Sequence, residues 1–151
     1  MTITFCGHSN FFGSEKTERK ILEFLERKVG DSQADMYLGG YGGFDDFAYR
    51  CCRKYKDKHP NTSLVFVAPY ITLEYQRNHL KFQQDLYDSI IYPEIERIPK
   101  RYAIAYRNRY MVETADCVIA YVSHTWGGAY STYKYAKRRG KEIFNLADFE
   151  K

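Results

Sequence analysis

The sequence predicts an α/β fold, a Rossmann-like parallel sheet of about six strands with helices on both faces. Apolar runs of strand length alternate almost throughout with segments of helical length. Two of these runs, Leu64-Val65-Phe66-Val67 and Cys117-Val118-Ile119-Ala120-Tyr121, lack any charged position, as strands covered on both faces require. Neither a repeat nor a linker divides residues 1–151. They read as a single domain, long enough to bury one substantial core.

The first strand is expected at residues 2–6, before the polar turn Gly7-His8-Ser9-Asn10. Ser14 is placed to cap the helix that follows. Glu15 and Glu18 sit in its first turn, Arg27 and Lys28 in its last, and Gly30 is placed to stop it. Ile21, Leu22, Phe24, Leu25 and Val29 form its apolar stripe. A brief strand at 36–38 runs into Gly39-Gly40-Tyr41-Gly42-Gly43, after which Phe44, Phe47, Ala48, Cys51, Cys52 and Tyr55 recur at helical spacing. A third strand at 63–68 ends at Pro69-Tyr70. Residues 71–86 are polar and irregular, readable as a short helix or as a mobile flap. A fourth strand at 89–92 and a connector at 95–99 lead to a helix over 100–114. Then come a strand at 117–121, a glycine-containing loop, a helix, and a last strand at 142–146.

Composition excludes several classes of function. No apolar run approaches membrane-spanning length, and the N-terminus enters a strand without a signal-peptide pattern, so a cytoplasmic protein is expected. Cys6, Cys51, Cys52 and Cys117 lack metal-ligand spacing. They read as reduced, buried thiols, and neither a metal nor a cofactor is expected. A net charge of +4 suits an anionic ligand but is small for a nucleic-acid track, so nucleic acid is not expected as a partner. The 15 tyrosines are an excess that points to a stacking pocket or to subunit contacts.

In folds of this class ligands bind outside the carboxyl ends of the strands. The loops starting at Gly7, Gly39, Pro69 and Ser123 all fall there. Gly7, His8 and Ser9 form the first, with His8 open to two readings, ligand contact or loop cap. Gly39, Gly40, Gly42 and Gly43 surround Tyr41 in the second. Four glycines in five residues mean that something approaches the backbone closely, and a ligand is favoured over a neighbouring element. Asp45 and Asp46, in the next helical turn, either complement its dipole or bond a ribose hydroxyl. Pro69 and Tyr70 form the third loop. In the fourth, Ser123, Trp126, Gly127, Gly128 and Ala129 lead into a helix whose free N–H groups suit an anionic oxygen. The bland alternative there is a tight turn. The basic run Lys134, Lys137, Arg138, Arg139 and Lys141 reads as a solvated helix face.

Taken together, CGHS, GGYGGFDD, RNRYM and GGAYST, in this order and spacing, resemble the SLOG superfamily. That Rossmann-like group includes the "lonely guy" phosphoribohydrolases, the DprA proteins that bind single-stranded DNA, and nucleotide sensors of anti-phage systems. The look is nearest to small single-domain bacterial and phage members. The resemblance implies a pocket for a nucleotide or an ADP-ribose-like molecule near a dimer interface. Arg107 and Met111 match an arginine–methionine pair that precedes the PGGxGTxxE loop of the phosphoribohydrolases. Gly127, Gly128 and Thr132 match parts of that loop, and Ser131 lies inside it. Trp126 replaces its proline, and Tyr133-Lys134-Tyr135 leave its catalytic glutamate without a counterpart.

Arg107, a fork donor, is therefore expected to hold a phosphate, with an ion pair to Glu113 or Asp116 as the alternative. Asn108 is a further hydrogen-bond donor. No catalytic residue is assigned. The expected function is binding of a nucleotide-derived ligand, ADP-ribose or a cyclic isomer, as a sensor or more readily as a sequestering agent in anti-phage signalling. The alternative is N-glycosidic hydrolysis or ribosyl transfer on nucleoside monophosphates, with Asp45, Asp46 or Glu113 supplying the carboxylate. Tyr102, Tyr106 and Tyr110, spaced by four, predict a homo-oligomer paired through tyrosine-rich helices.

Overall fold

A computed structural model describes residues 1–70, 73–94 and 97–150. Six parallel strands, β1 (Thr2–Gly7), β2 (Ala34–Leu38), β3 (Thr62–Val67), β4 (Ser89–Ile91), β5 (Cys117–Tyr121) and β6 (Glu142–Asn145), form one sheet in the order β4-β3-β2-β1-β5-β6. The strand order reverses between β1 and β5, which pair in register from Ile3↔Cys117 to Gly7↔Tyr121. A crevice opens at such a reversal because the flanking helices leave on opposite faces.

Alternation along the strands assigns those faces. Ile3 and Phe5, Met36 and Leu38, Cys117 and Ile119 point to α1 (Glu15–Lys28) and α2 (Gly43–Lys58), meeting Ile21, Leu25, Phe44, Phe47 and Cys51 in the larger core. Val118 and Ala120 point to the other face, against Val112 of α5 (Lys100–Thr114) and Ala136 of α6 (Gly127–Arg138). On that face Val65 and Val67 meet Met111. All four cysteines are buried and unbonded, and burial pushes the thiols of Cys6, Cys51 and Cys117 up to about 12.

The sequence cues act locally as expected. Ser14 and Thr17 form a reciprocal capping box at α1, and Gly30, at φ 58°, follows its C-cap residue Val29. Residues 71 and 72 of the segment read as helix or flap, and 95 and 96 of the connector, lie outside the described residues. From Leu73 the segment is helical: α3 (Leu73–Tyr75), a π-helical stretch (Gln76–Leu80) and α4 (Lys81–Leu86). Leu80 is its buried anchor, against Phe66 and Ala68. Leu146, expected in the last strand, instead starts a 3₁₀ turn (Leu146–Phe149) whose Ala147 N–H is accepted by Asn145. No helix among the described residues is long and apolar enough to cross a membrane.

His59 closes the far end of the α1–α2 face. Its Nε2 lies 2.5 Å from Glu26 Oε1 and its Nδ1 2.9 Å from Asp31 Oδ1, while the ring stacks on Tyr55. The bond to Glu26 raises the His59 pKa, Asp31 reinforces it, and burial pulls the other way. A raised folded-state pKa means that this stabilisation is complete below about pH 6.5, the unfolded value, and fades as pH climbs through the folded one. Urea unfolding of wild type and His59→Gln across that range is expected to show a stability gap that narrows with rising pH. A gap independent of pH would refute the charged clamp.

Candidate functional site

A cavity of about 340 Å³ sits in the crevice between the carboxyl ends of β1 and β5. The loop after β5 is rooted by the buried Asn145. Its Oδ1 accepts the Val122 N–H at 3.0 Å, and its Nδ2 donates back to the Val122 carbonyl at 3.1 Å. His8 makes the next link, its Nε2 accepting the Ser123 N–H at 2.9 Å. His8 thus caps the loop, as one of its two readings expected, and also lines the cavity. Accepting at Nε2 places the neutral ring's proton on Nδ1. Burial, with His124 adding to it, lowers the His8 pKa and keeps the ring neutral.

His8 also begins a stack of three rings. His124 lies parallel to it at 3.7 Å, and Trp126 lies on His124 at 3.9 Å. The outer face of the tryptophan, 68% exposed, ends the stack at the cavity mouth. His124 was not singled out from the sequence. Its only signal there is its place between Ser123 and Trp126 on a strand-end loop.

The two glycine loops differ in what approaches them. Gly42 and Gly43 are closed by protein: a Cβ would lie 2.8 Å from Ser9 Cα at the first and 2.4 Å from the Phe11 carbonyl oxygen at the second. The Gly43 and Phe44 N–H groups already donate to the Ser9 and His8 carbonyls. A Cβ at Gly40 would meet Phe66 at 2.7 Å, one at Gly39 the Arg107 guanidinium at 3.0 Å, and one at Gly7 the Phe44 ring at 2.3 Å. Neighbouring elements, not a ligand, therefore account for the glycines from 39 to 43, contrary to the sequence reading. Gly128 is the opposite case. No atom beyond its own helical turn lies within 4 Å of its Cβ position, and α6, with Trp126 at its N-cap, has no side-chain cap and no acidic residue in its first turn. Gly127, Gly128 and Ala129 of that turn line the cavity, so the helix start left open there is that of α6 rather than α2. Ser131 and Thr132 donate their hydroxyls to the Gly127 and Gly128 carbonyls of the same helix.

Asp45 and Arg107 form the cavity's charged wall. Asp45 Oδ2 accepts the Tyr41 N–H at 2.9 Å. Burial raises its pKa to about 6, against the lowering effects of that bond and of Arg107. Arg107 is only 2% exposed, on the stripe Ala103, Arg107, Met111 that faces the sheet. Its Nη1 donates to the Gly39 carbonyl at 3.0 Å and the Val67 carbonyl at 2.8 Å, and its Nε to Asn108 Oδ1 at 2.9 Å. One cation thus ties down the carboxyl ends of β2 and β3. The alternative of an ion pair to Glu113 or Asp116 is not realised. Glu113 meets Tyr135 and Arg139, and Asp116 accepts the Thr2 N–H. Glu113 and the exposed Asp46 both lie outside the cavity lining.

Most of the expected site residues divide between two neighbouring cavities, while Gly42, Gly43, Ser123 and Ser131 line neither. Gly7, His8, Ser9, Asp45, Asn108, Met111, Trp126, Gly127, Gly128, Ala129 and Thr132 line the first. Gly39, Gly40, Pro69 and Tyr70 line a second, of about 410 Å³, while Tyr41 and Arg107 belong to both.

No family model and no curated protein matches the sequence. Solved structures do match the architecture. DNA processing protein A (DprA) from Helicobacter pylori, described for its single-stranded DNA binding mode, superposes with a TM-score of 0.63 at 18% identity, over 96% of this chain and 64% of that one. DprA from Streptococcus pneumoniae gives 0.64 at 15% identity, over 95% of this chain and 49% of that one. The fold is DprA-like. The molybdenum cofactor carrier protein of Chlamydomonas reinhardtii shares it, with a TM-score of 0.57 at 12% identity over 97% of this chain and 75% of the carrier. This chain spans about half to two thirds of the length of the two DprA structures. Of the resemblance read from the residues, these neighbours bear out a DprA-like, Rossmann-like fold.

Proposed function

We propose that the protein binds a nucleotide-derived anion in the cavity between β1 and β5, with ADP-ribose or a cyclic isomer as the ligand class and sequestration during anti-phage signalling as the role. The observation that carries the anion is the uncapped start of α6, open at Gly128 while the start of α2 is closed by the Ser9 and His8 carbonyls. The exposed Trp126 face adds an aromatic wall beside the start of α6. To test the reading, the protein is incubated with ADP-ribose, cyclic ADP-ribose and nucleoside monophosphates, stripped of excess and denatured, and the supernatant is analysed by mass spectrometry. Intact ligand is expected. An empty protein across the panel would overturn binding.

One observation favours a second reading. Asp45 brings to the cavity a carboxylate with a pKa of about 6, in the range where it can exchange a proton near neutral pH. Free base released from nucleoside monophosphates, and lost in Asp45→Asn, would make the protein an N-glycosidic hydrolase instead. The expectation that nucleic acid is no partner finds no support among the neighbours, since the Helicobacter protein is described for single-stranded DNA binding. A gel shift at physiological salt decides that point.

The reading includes self-association. Tyr102 and Tyr106 are 52% and 39% exposed on α5, whereas Tyr110 packs against the Val65, Val67 and Met111 cluster. The stripe is thus two exposed rings rather than three. Light scattering is expected to show a dimer that Tyr106→Glu dissociates; a wild-type monomer at tens of micromolar overturns it.

A further inference from the structure

We infer that the ligand has two chemically different heads, one at the start of α6 and the other, a planar heteroaromatic ring, in the second cavity beyond Arg107. The inference rests on the reading above for its anionic head and deepens it.

The two cavities are neighbours with a common wall of Tyr41, Ile104 and Arg107. At about 340 and 410 Å³ each alone is near the lower end of the range of roughly 300–1,000 Å³ usual for ligand sites, so a ligand that engages both is larger than either holds by itself. Their chemistry differs. The first offers backbone N–H groups and a glycine helix start, which suit oxyanions. The second offers rings: Tyr70 and Tyr75 meet edge to face at 5.4 Å, with Lys100 Nζ 5.6 Å from the Tyr70 centroid. Gln83 adds a carboxamide able to donate to and accept from a base edge. Tyr75 and Gln83 flank a π-helical stretch, Gln76–Leu80, a distortion that often accompanies a functional site.

Between the two stands Arg107. Its Nη1 and Nε are held by the Gly39 and Val67 carbonyls and by Asn108, so the group cannot swing toward either occupant. Fixed there, it contributes a positive field at the threshold, where the linking phosphates of a pyrophosphate-bridged molecule pass. Glycine at 39 leaves room for the guanidinium, since a Cβ would lie 3.0 Å from its Cζ. The ligand class is therefore a nucleoside diphosphate carrying a further group, its base among the tyrosines and its pyrophosphate between Arg107 and the start of α6.

Calorimetry with ribose 5-phosphate, AMP and ADP-ribose separates the two heads. Wild type is expected to bind ADP-ribose at least tenfold more tightly than ribose 5-phosphate. Tyr70→Leu should remove that advantage and leave ribose 5-phosphate within twofold. Lys100→Met, at an exposed residue, is a second variant that keeps the test valid if Tyr70→Leu unfolds; it should weaken ADP-ribose at least threefold. ADP-ribose binding within twofold of wild type in every folded variant overturns the second head alone. Absence of binding to wild type by all three probes overturns the anionic site as well.

Discussion

Replacing Arg107 with methionine is expected to destabilise the fold by about 3–5 kcal/mol, since two buried carbonyls lose a charged donor and neither can turn to water. Methionine fills much of the volume, so the loss reports the hydrogen bonds more than a cavity. Arg107→Lys should fall between, because one ammonium lacks the fork that reaches both carbonyls and Asn108. Urea unfolding followed by circular dichroism measures both. A cost below about 1 kcal/mol would mean that the guanidinium is free of structural duty, and would return it to the role of a mobile phosphate clamp.

The second large effect separates binding from folding. Gly128→Asp introduces a carboxylate at the open start of α6, where no atom beyond the helix's own turn lies within 4 Å of the new Cβ and φ is not positive. A negative charge there complements the helix dipole, so stability should hold or rise by about 0.3–1 kcal/mol. Anion binding should fall by roughly ten- to a hundredfold, because the carboxylate takes the N–H groups and repels the ligand. Calorimetry with ADP-ribose, beside a thermal melt, gives both numbers. Unchanged affinity in a folded variant would remove α6 from the site.

The fold was legible because its signals are local. Strand runs, the Ser14 cap and Gly30 each act within a few residues of themselves. The site was legible only as a set of strand ends, because its decisive contacts join residues far apart in the chain. His8 meets Ser123 and His124 across the whole β1–β5 connection, and nothing near either histidine announces the stack. Glycine density misled for the same reason. The atoms that crowd Gly40 and Gly43 belong to Phe66 and Phe11, at distances in sequence that no motif spans. The burial of Arg107 has a trace in the spacing, four residues from both Ala103 and Met111 on the stripe that faces the sheet, but its charge drew the reading to a phosphate contact or an ion pair instead.

The contrast between the two glycine loops also bears on how a lineage of such proteins would diverge. Glycines from 39 to 43 are held by their neighbours' side chains and backbone, so they would persist in any descendant that keeps the fold, even one that has abandoned its ligand. Gly128 has no such tenant. Its identity is free to drift once selection for the ligand relaxes, so this single plain glycine, not the richer cluster, is where gain and loss of function would be written.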